Sequence, residues 1–298
     1  MNLAEIGSLT ETQAREYFEK LRWSDGVECV HCNSKEVTKL IGQKHREGLY
    51  QCNKCHKQFT FTVGTVMEDS HIPLKKWLMA FHLMCSSKKG VSARQLQRDL
   101  GLGSYETAWF MAHRVRYAMS QEPLMGKLKG AVEVDETYVG GKPRKGNNTE
   151  SKRGRGTKKT PVVVLVERQG VAISKPMKRL SAKELKAEIR ENIELESLLI
   201  TDDFPSYTGL GKEFAGGHEV INHSEGEYSR LGINTNTAES FFALLKRGHY
   251  GIFHHLSKEH LHRYCDEFTF RWNYRKLSDS DKRDIAIAKA PGKRLMYS

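Results

Sequence analysis

The chain has 298 residues, and its lysines and arginines outnumber its acidic residues by 48 to 36, which gives a formal net charge of +12 and an isoelectric point near 9.3. This length predicts two domains, or one large domain with appendages, and the basic excess favours a polyanionic partner, with DNA or RNA first. No apolar run of about 18 residues occurs, and the N-terminal residues lack the basic-then-apolar order of a signal peptide. We therefore expect a soluble, intracellular protein without a membrane partner.

A cysteine-rich module follows an N-terminal helix. A capping box before an amphipathic run predicts the helix within residues 1–20. Residues 21–66 then carry two CxxC pairs separated by 19 residues, a spacing typical of a zinc ribbon in which four thiolates close a tetrahedral shell. Redox dithiols are the alternative, and Cys85 and Cys265 are expected to be buried in helices. The predicted ligands of a structural Zn²⁺ are Cys29, Cys32, Cys52 and Cys55.

Residues 67–125 are predicted to be helical and to contain a helix-turn-helix. Ser92 and Gln95 have the spacing of a capping box, and "GLGS" supplies a tight turn before the next helix. Arg114 and Arg116 lie on that second helix, where they are candidates for DNA contact. An ordinary helical hairpin with a solvated basic face is an equally good interpretation of this segment alone.

Residues 141–160 form a basic segment with almost no apolar residue, so they cannot build a core and are predicted to be a mobile loop. A solvated linker is one interpretation of this loop. We favour the other, an arm that binds nucleic-acid phosphates, because of the net charge of the chain. The candidate phosphate-binding side chains are Lys142, Arg144, Lys145, Lys152, Arg153, Arg155, Lys158 and Lys159.

Residues 126–277 are predicted to form an α/β domain. Residues 278–298 are predicted to be a C-terminal tail. The predicted order is three strands, helix, strand, short helix, strand and further helices, which is the order of a ribonuclease-H-like, integrase-like fold. The first strand, "VEVDETYVGG", alternates apolar and acidic side chains, with Glu133 and Asp135 on one face. Either that face meets water, or the strand holds a carboxylate for a metal ion.

Further carboxylates occur where this fold order would bring them to the first strand. The apolar run of a later strand ends at Asp202 and Asp203, and Glu239 lies near the start of a helix. Carboxylates converging on two divalent ions are what metal-dependent phosphoryl transfer requires, and Mg²⁺ or Mn²⁺ would suit oxygen ligands. Taken singly, each has another interpretation: Asp135 could face solvent, Asp202 or Asp203 could cap a turn, and Asn236 with Glu239 could cap a helix.

Motifs along most of the chain resemble the zinc-ribbon insertion-sequence transposases of the IS1595 family. The matching segments include "RWSDGVECVHC", "YQCNKCHKQFTFTVGT", "VEVDETYVGGK", "ITDDFPSY" and "NTNTAESFFALLKRG", and they follow in order from about residue 21 to 275. The resemblance implies a DDE catalytic domain in which Asp135, Asp202 and Glu239 hold the metal ions, with Asp203 outside the triad. It also implies a basic residue downstream, at Lys246, which shares a helix face with Glu239 because seven residues are two turns.

The resemblance and the motifs together predict a bacterial DNA transposase that acts at the nucleoid. Its zinc ribbon and helix-turn-helix would bind element ends, and its DDE domain would cleave DNA and join it to a target with two Mg²⁺ or Mn²⁺ ions. It would work as a homo-oligomer on DNA. Two alternatives remain: a nuclease of the same fold without strand transfer, and a non-catalytic DNA-binding regulator derived from a transposase.

Overall fold

The computed structural model describes residues 1–120, 126–141, 157–222 and 234–296. Two compact units divide the chain. The first consists of Met1–Ser120 together with Lys276–Ser298, and the second is Gln121–Arg275. No helix within the described residues is both long and apolar enough to cross a membrane.

The first unit begins with two short helices and a small sheet. Thr10 caps the second helix and exchanges hydrogen bonds with Gln13, which confirms the predicted capping box. Trp23 packs edge-on against the rings of Tyr50 and Phe59, so an aromatic cluster forms the small core of the sheet. The elements are α1 (Leu3–Ser8), α2 (Glu11–Arg22), β1 (Val37–Lys39), β2 (Tyr50–Cys52) and β3 (Gln58–Phe59), with the strands antiparallel in the order β1-β2-β3.

Three further helices follow in this unit: α3 (Leu74–Ser86), α4 (Ala93–Leu100) and α5 (Tyr105–Met119). The Ser92 hydroxyl caps α4, and Gly101 ends it in the left-handed region at φ 56°. Ser104 then caps α5, so α4 and α5 are two capped helices joined by the predicted glycine turn, and the helix-turn-helix stays a prediction. Cys85 is buried in α3, as expected.

The predicted C-terminal tail contains a further helix, α9 (Asp279–Ala288), which packs against α3. Arg283 of this helix is 1% exposed and donates to the backbone oxygen of Met1 at 2.9 Å. The hydroxyl of Tyr17 donates to Asp284 at 2.7 Å. These buried polar contacts make residues 278–296 part of the folded first unit instead of an extension of the second.

The second unit is built on a five-stranded sheet in the order β6-β5-β4-β7-β8. β5 is antiparallel to β4 and β6, whereas β7 is parallel to β4 and β8 is parallel to β7. This arrangement is the ribonuclease-H-like topology that the sequence predicts. The strands are β4 (Ala131–Val139), β5 (Thr160–Glu167), β6 (Ala172–Pro176), β7 (Leu198–Asp202) and β8 (His218–Ile221), and the helices are α6 (Ala182–Asn192), α7 (Asn236–Gly248) and α8 (Leu261–Asn273).

Both faces of the sheet are covered, which explains the unbroken apolar run in β5. Val163 and Leu165 pack on the α6 side, whereas Val162 and Val164 pack under α7 and α8. The buried Cys265 belongs to this second cluster, as expected. The alternation along β4 therefore separates two sides of the sheet: Val132 and Val134 face α6, and Glu133 and Asp135 face α7.

Candidate metal centres and active site

Four cysteines of the first unit form one cluster. The sulfur atoms all lie within 4.8 Å of one another, and two of the Sγ–Sγ distances are 3.7 Å (Cys29 to Cys55) and 3.6 Å (Cys32 to Cys52). Zn–S bonds of about 2.3 Å in a tetrahedral site place the sulfurs about 3.8 Å apart. The predicted zinc-ribbon ligand set thus has the geometry of a four-thiolate zinc site.

Backbone amides support this cluster. The N–H of His31 donates to the Sγ of Cys29 at 3.4 Å, and the N–H of Cys55 donates to the Sγ of Cys52 at 3.4 Å. The Cys55 amide lowers the pKa of the Cys52 thiol to about 6. Because the thiolate is the form that binds a metal, the knuckle stabilises the protonation state that a zinc ion needs.

Asp135 and Asp202 lie side by side on two neighbouring parallel strands, Asp135 in the middle of β4 and Asp202 at the C-terminal end of β7. Val134 of β4 pairs with Thr201 of β7, so the next residue on each strand is one of the two aspartates. Their carboxylate oxygens lie within 4.8 Å of one another. The Asp202 carboxylate also accepts the N–H of Phe204 at 3.1 Å, so it caps the following turn as well as joining the cluster.

A third carboxylate in this cluster, Glu136, does not follow from the sequence reasoning. One of its oxygens lies within 4.8 Å of the Asp135 and Asp202 oxygens. It accepts the hydroxyl of Tyr207 at 3.0 Å, and burial raises the pKa of that hydroxyl well above its usual value. Strand alternation places Glu136 on the opposite face from Asp135, which is why the pattern does not predict it. Its position next to Asp135 in the sequence is the signal that could have indicated it.

The cluster concentrates negative charge in a poorly solvated place. Burial raises the pKa of Asp135 to about 7, the N–H of Glu136 opposes this shift, and the charges of Glu136, Asp202 and Glu239 add to it. Like charges this close favour a bound proton or cation. Carboxylate oxygens are ligands that Mg²⁺ and Mn²⁺ accept, so the residues fit a divalent-cation site.

Glu239 stands beside this cluster and outside the 4.8 Å group. It is exposed on the first turn of α7, near enough to Asp135 to raise the pKa of that carboxyl. The alternative of a capping pair with Asn236 is wrong, because Thr235 occupies the N-cap position and its side chain does not cap the helix. Instead, the carboxylate of Glu133 accepts hydrogen bonds from the first-turn amides.

The remaining candidates in the second unit have separate surroundings. Asp203 is exposed and does not belong to the carboxylate group. Lys246 is exposed on α7, with its Nζ 5.9 Å from the centre of the Phe242 ring. Lys158 is exposed and Lys159 is partly buried just before β5. The other predicted phosphate-binding residues lie outside the described residues, and these are Lys142, Arg144, Lys145, Lys152, Arg153 and Arg155.

The expectation that Arg116 faces DNA from α5 needs correction, whereas DNA contact by Arg114 stays a prediction. Arg116 is only 1% exposed, and it lies on the same helix face as the buried Ala112 and Met119. Its guanidinium is therefore in the core of the first unit and is not available to phosphate. Arg114 is partly buried and donates to the backbone oxygen of Glu68 at 3.2 Å, so it supports the loop that precedes α3.

Two family models match the chain, one in each unit. Residues 127–273 match the family model of the ISXO2-like transposase domain, and residues 9–58 match the transposase zinc-ribbon domain. An "Uncharacterized protein in transposable element ISH50" of Halobacterium salinarum is 30% identical over 277 residues, covering 88% of this chain and 91% of that protein.

Solved structures with some similarity include two complexes of the Mos1 transposase. A paired-end complex with the left transposon end has a TM-score of 0.27 and 14% identity, over 67% of this chain and 74% of that chain. The strand transfer complex has a TM-score of 0.30 and 15% identity, over 67% and 70%.

The fold and the two clusters define a zinc-ribbon protein with a ribonuclease-H-like domain that presents paired carboxylates. The family matches and the relative make the identification more specific: the chain belongs to the IS1595 family of insertion-sequence transposases. The resemblance noted from the sequence motifs is thereby confirmed.

Proposed function

We propose that the chain is a DNA transposase that cleaves the ends of an insertion sequence and joins them to target DNA. The observation that supports this most is the pair of Asp135 and Asp202 carboxylates on adjacent parallel strands, with Glu239 in the first turn of a helix beside them. The relative in a transposable element is consistent with such an activity.

In this proposal Asp135, Asp202 and Glu239 hold two Mg²⁺ or Mn²⁺ ions. When bound, such ions activate the attacking oxygen and stabilise the leaving oxygen of an in-line displacement at phosphorus. Asp135 releases the proton that burial and its neighbours favour, because only the carboxylate is a ligand. Glu136, held by the Tyr207 hydroxyl, adds a further carboxylate to the site.

Lys246 has the charge and the position to hold a phosphate beside these acids. It is two helical turns after Glu239 on α7, and both side chains are exposed. A lysine binds phosphate as a mobile point charge, so it would orient the DNA backbone without taking part in bond making. It is therefore a binding residue in this proposal.

The first unit and the basic loop would supply DNA binding. The zinc ribbon and the helix-turn-helix would recognise element ends, and the lysines around β5 would contact phosphates. Each phosphate contact contributes about −0.9 to the slope of log affinity against log salt. We expect replacement of Lys158 and Lys159 by Gln to flatten this slope by up to about 2, while Lys183 and Lys212, exposed lysines elsewhere in the unit, serve as a charge-matched control pair.

A DNA assay tests the function. The substrate is a labelled duplex that carries the inverted repeat flanking the gene, supplied with Mg²⁺ or Mn²⁺ and a separate target plasmid. A transposase produces free 3′-hydroxyl ends and covalently joined products. Cleavage without joined products would indicate the nuclease, and binding without cleavage would indicate the regulator. Either of those two results contradicts the proposal.

A further inference from the structure

Glu133 is a fully buried acidic residue on β4, two positions before Asp135, with 0% of its surface exposed. A carboxylate removed from water destabilises the fold unless hydrogen bonds and an opposite charge compensate it. Its side chain points to the α7 face of the sheet, the same face as Asp135. A buried acid at this position therefore needs partners, and the structure supplies them from two directions.

The first set of partners is the start of α7. The Thr237 amide donates to Glu133 at 2.8 Å, the Thr237 hydroxyl at 2.9 Å and the Ala238 amide at 3.0 Å. These amides are among the first-turn donors that no intrahelical carbonyl can satisfy. Glu133 thus caps α7 from a different element, and the positive end of the helix dipole faces its carboxylate.

The second partner is Arg168, which follows β5. Its Nε donates to Glu133 at 2.9 Å, and its NH2 group donates to the backbone oxygen of Asn234 at 2.8 Å. The guanidinium therefore bridges the buried carboxylate and the chain that leads into α7. Through these contacts Glu133 joins the central strand, the end of the adjacent strand and the beginning of the helix.

This junction fixes the distance between two of the proposed metal ligands. Asp135 is two residues after Glu133 on the same strand, about 7 Å along it. Glu239 directly follows Ala238, and its own amide makes the first intrahelical bond, to Thr235 at 3.0 Å. A rigid strand and a rigid first turn thus meet at one carboxylate, so the placement of Glu239 relative to Asp135 depends on Glu133.

We propose that Glu133 is a positioning residue, which holds Glu239 against Asp135 for metal binding. It does not touch substrate, because it is fully buried. The inference rests on the proposed function, since it takes Asp135 and Glu239 as metal ligands. It also gives the acidic pattern of β4 two distinct roles: one carboxylate anchors the helix, and the next binds the ion.

The test is Glu133→Gln in the zinc-loaded full chain. Glutamine keeps the volume, but its amide is neutral and cannot neutralise Arg168 or the helix terminus. Residues that orient metal ligands typically change metal affinity by about 10- to 100-fold. We expect the Mn²⁺ concentration for half-saturation, measured by the paramagnetic resonance of free Mn²⁺, to rise at least about tenfold. The metal concentration for half-maximal cleavage should rise in parallel, with binding to element ends retained.

Two further variants separate positioning from general stability. Glu267→Gln is the matched control: it removes an equally buried carboxylate that pairs with Arg271 at 2.5 Å in the same unit, away from the acidic cluster. Its metal half-saturation should stay within about twofold of the wild type. Thr237→Ala keeps Glu133 but removes one of its hydrogen bonds, and it should shift half-saturation in the same direction by a smaller factor.

The outcomes distinguish the inference from the proposed function. Unchanged Mn²⁺ half-saturation in both Glu133→Gln and Thr237→Ala, or an equal shift in Glu267→Gln, overturns the positioning role. If Glu133→Gln does not fold, the Thr237→Ala measurement decides alone. A wild-type protein that binds Mn²⁺ but never cleaves DNA contradicts the proposed function, whereas the comparison of binding curves still tests the positioning role.

Discussion

The cysteine cluster and the carboxylate cluster differ in how far apart their ligands lie in the sequence. The four cysteines lie within 26 residues of one another, on two knuckles of a small sheet. The carboxylates come from two strands, and Glu239 follows about a hundred residues after Asp135. A short loop-rich module has little core to hold its shape without metal. The carboxylates, in contrast, stand on a sheet whose two faces are both covered by packed side chains. We infer that the ion organises the first site and that the fold organises the second.

The two clusters also differ in their protonation. A backbone N–H lowers the pKa of Cys52 to about 6, whereas burial and neighbouring acids raise the pKa of Asp135 to about 7. Within the cysteine cluster Cys52 therefore favours the thiolate even before a metal binds, whereas Cys32 does not: the Ser34 amide favours its thiolate, but burial and the neighbouring cysteines raise its pKa to about 12. In the carboxylate cluster, the ionised form of Asp135 is disfavoured unless a cation is bound. This contrast can be tested at each site, beginning with the changes that should have the largest effects.

The largest effect should come from Asp202→Asn. Asparagine can still accept the Phe204 amide, so the turn is kept, but it lacks the charge that holds a divalent ion. Metal ions contribute several kcal/mol to such reactions, so cleavage should fall about a thousandfold or more. Asp203→Asn is the adjacent control, because Asp203 is exposed and outside the cluster. Equal losses in the two variants would contradict a metal site organised by β7.

Glu239→Gln and Glu136→Gln identify the third ligand. We expect Glu239→Gln to lower cleavage about a hundredfold, because a neutral amide is a poor ligand for a hard cation. Glu136→Gln should lower it about tenfold, since the Tyr207 hydroxyl already occupies part of that carboxylate. Rates at saturating Mn²⁺ provide the measurement, with retained binding to element ends as the control. The reverse order of effects would make Glu136 the third ligand.

Cys52→Ser should lower the zinc content from one ion per chain to less than about a tenth, because a serine hydroxyl does not replace a thiolate. The ribbon should then lose its fold, since zinc binding supplies its folding free energy. Metal analysis and the near-ultraviolet signal of the Trp23 cluster measure the two effects. Cys85→Ser, at a buried cysteine of α3 outside the cluster, should keep the zinc. A variant that kept a full zinc ion without Cys52 would show that the four thiolates do not act as one site.

The same contrast explains what the sequence could and could not predict. The cysteine spacing is local, so it identifies the zinc ligands directly. The strand order, together with the family resemblance, is enough to predict that Asp135 and Asp202 lie close together on neighbouring strands. Glu133 was placed on the correct face of β4, but its partners on α7 depend on tertiary packing that no short-range pattern encodes. For the same reason Arg116 was assigned to the surface, because a basic residue on a helix gives no sign that its face is buried.

The C-terminal helix was missed for a different reason. Ser278 caps α9 by accepting the amide of Asp281, so a local capping signal was present in the sequence. The helix is nevertheless rich in charged residues, and its buried residues are Arg283, Ala286 and Ile287, of which arginine is a type that is seldom fully buried. Hydrophobic periodicity alone therefore does not predict a helix in this segment, whereas the capping signal at Ser278 does.

The last expected effect is on stability as a function of pH, without added Mg²⁺ or Mn²⁺. The pKa of Asp135 is about 7 in the folded chain, above the ordinary value of 3.8, so the folded state binds this proton more tightly than the unfolded state does. Its stabilising contribution is therefore complete below about pH 4 and is lost as the pH rises through 7, by about 1.4 kcal/mol per pH unit. Asp135→Asn lacks this proton, so its stability relative to the wild type should increase over the same interval. The difference between the two urea-unfolding free energies measures this carboxyl and its interaction with Glu136, Asp202 and Glu239, because the more distant titrating groups are common to both proteins. A difference that stays flat from pH 4 to 8 would mean that Asp135 holds its anion as easily as Cys52 does. The contrast between the two sites would then lie only in how far apart their ligands are along the chain.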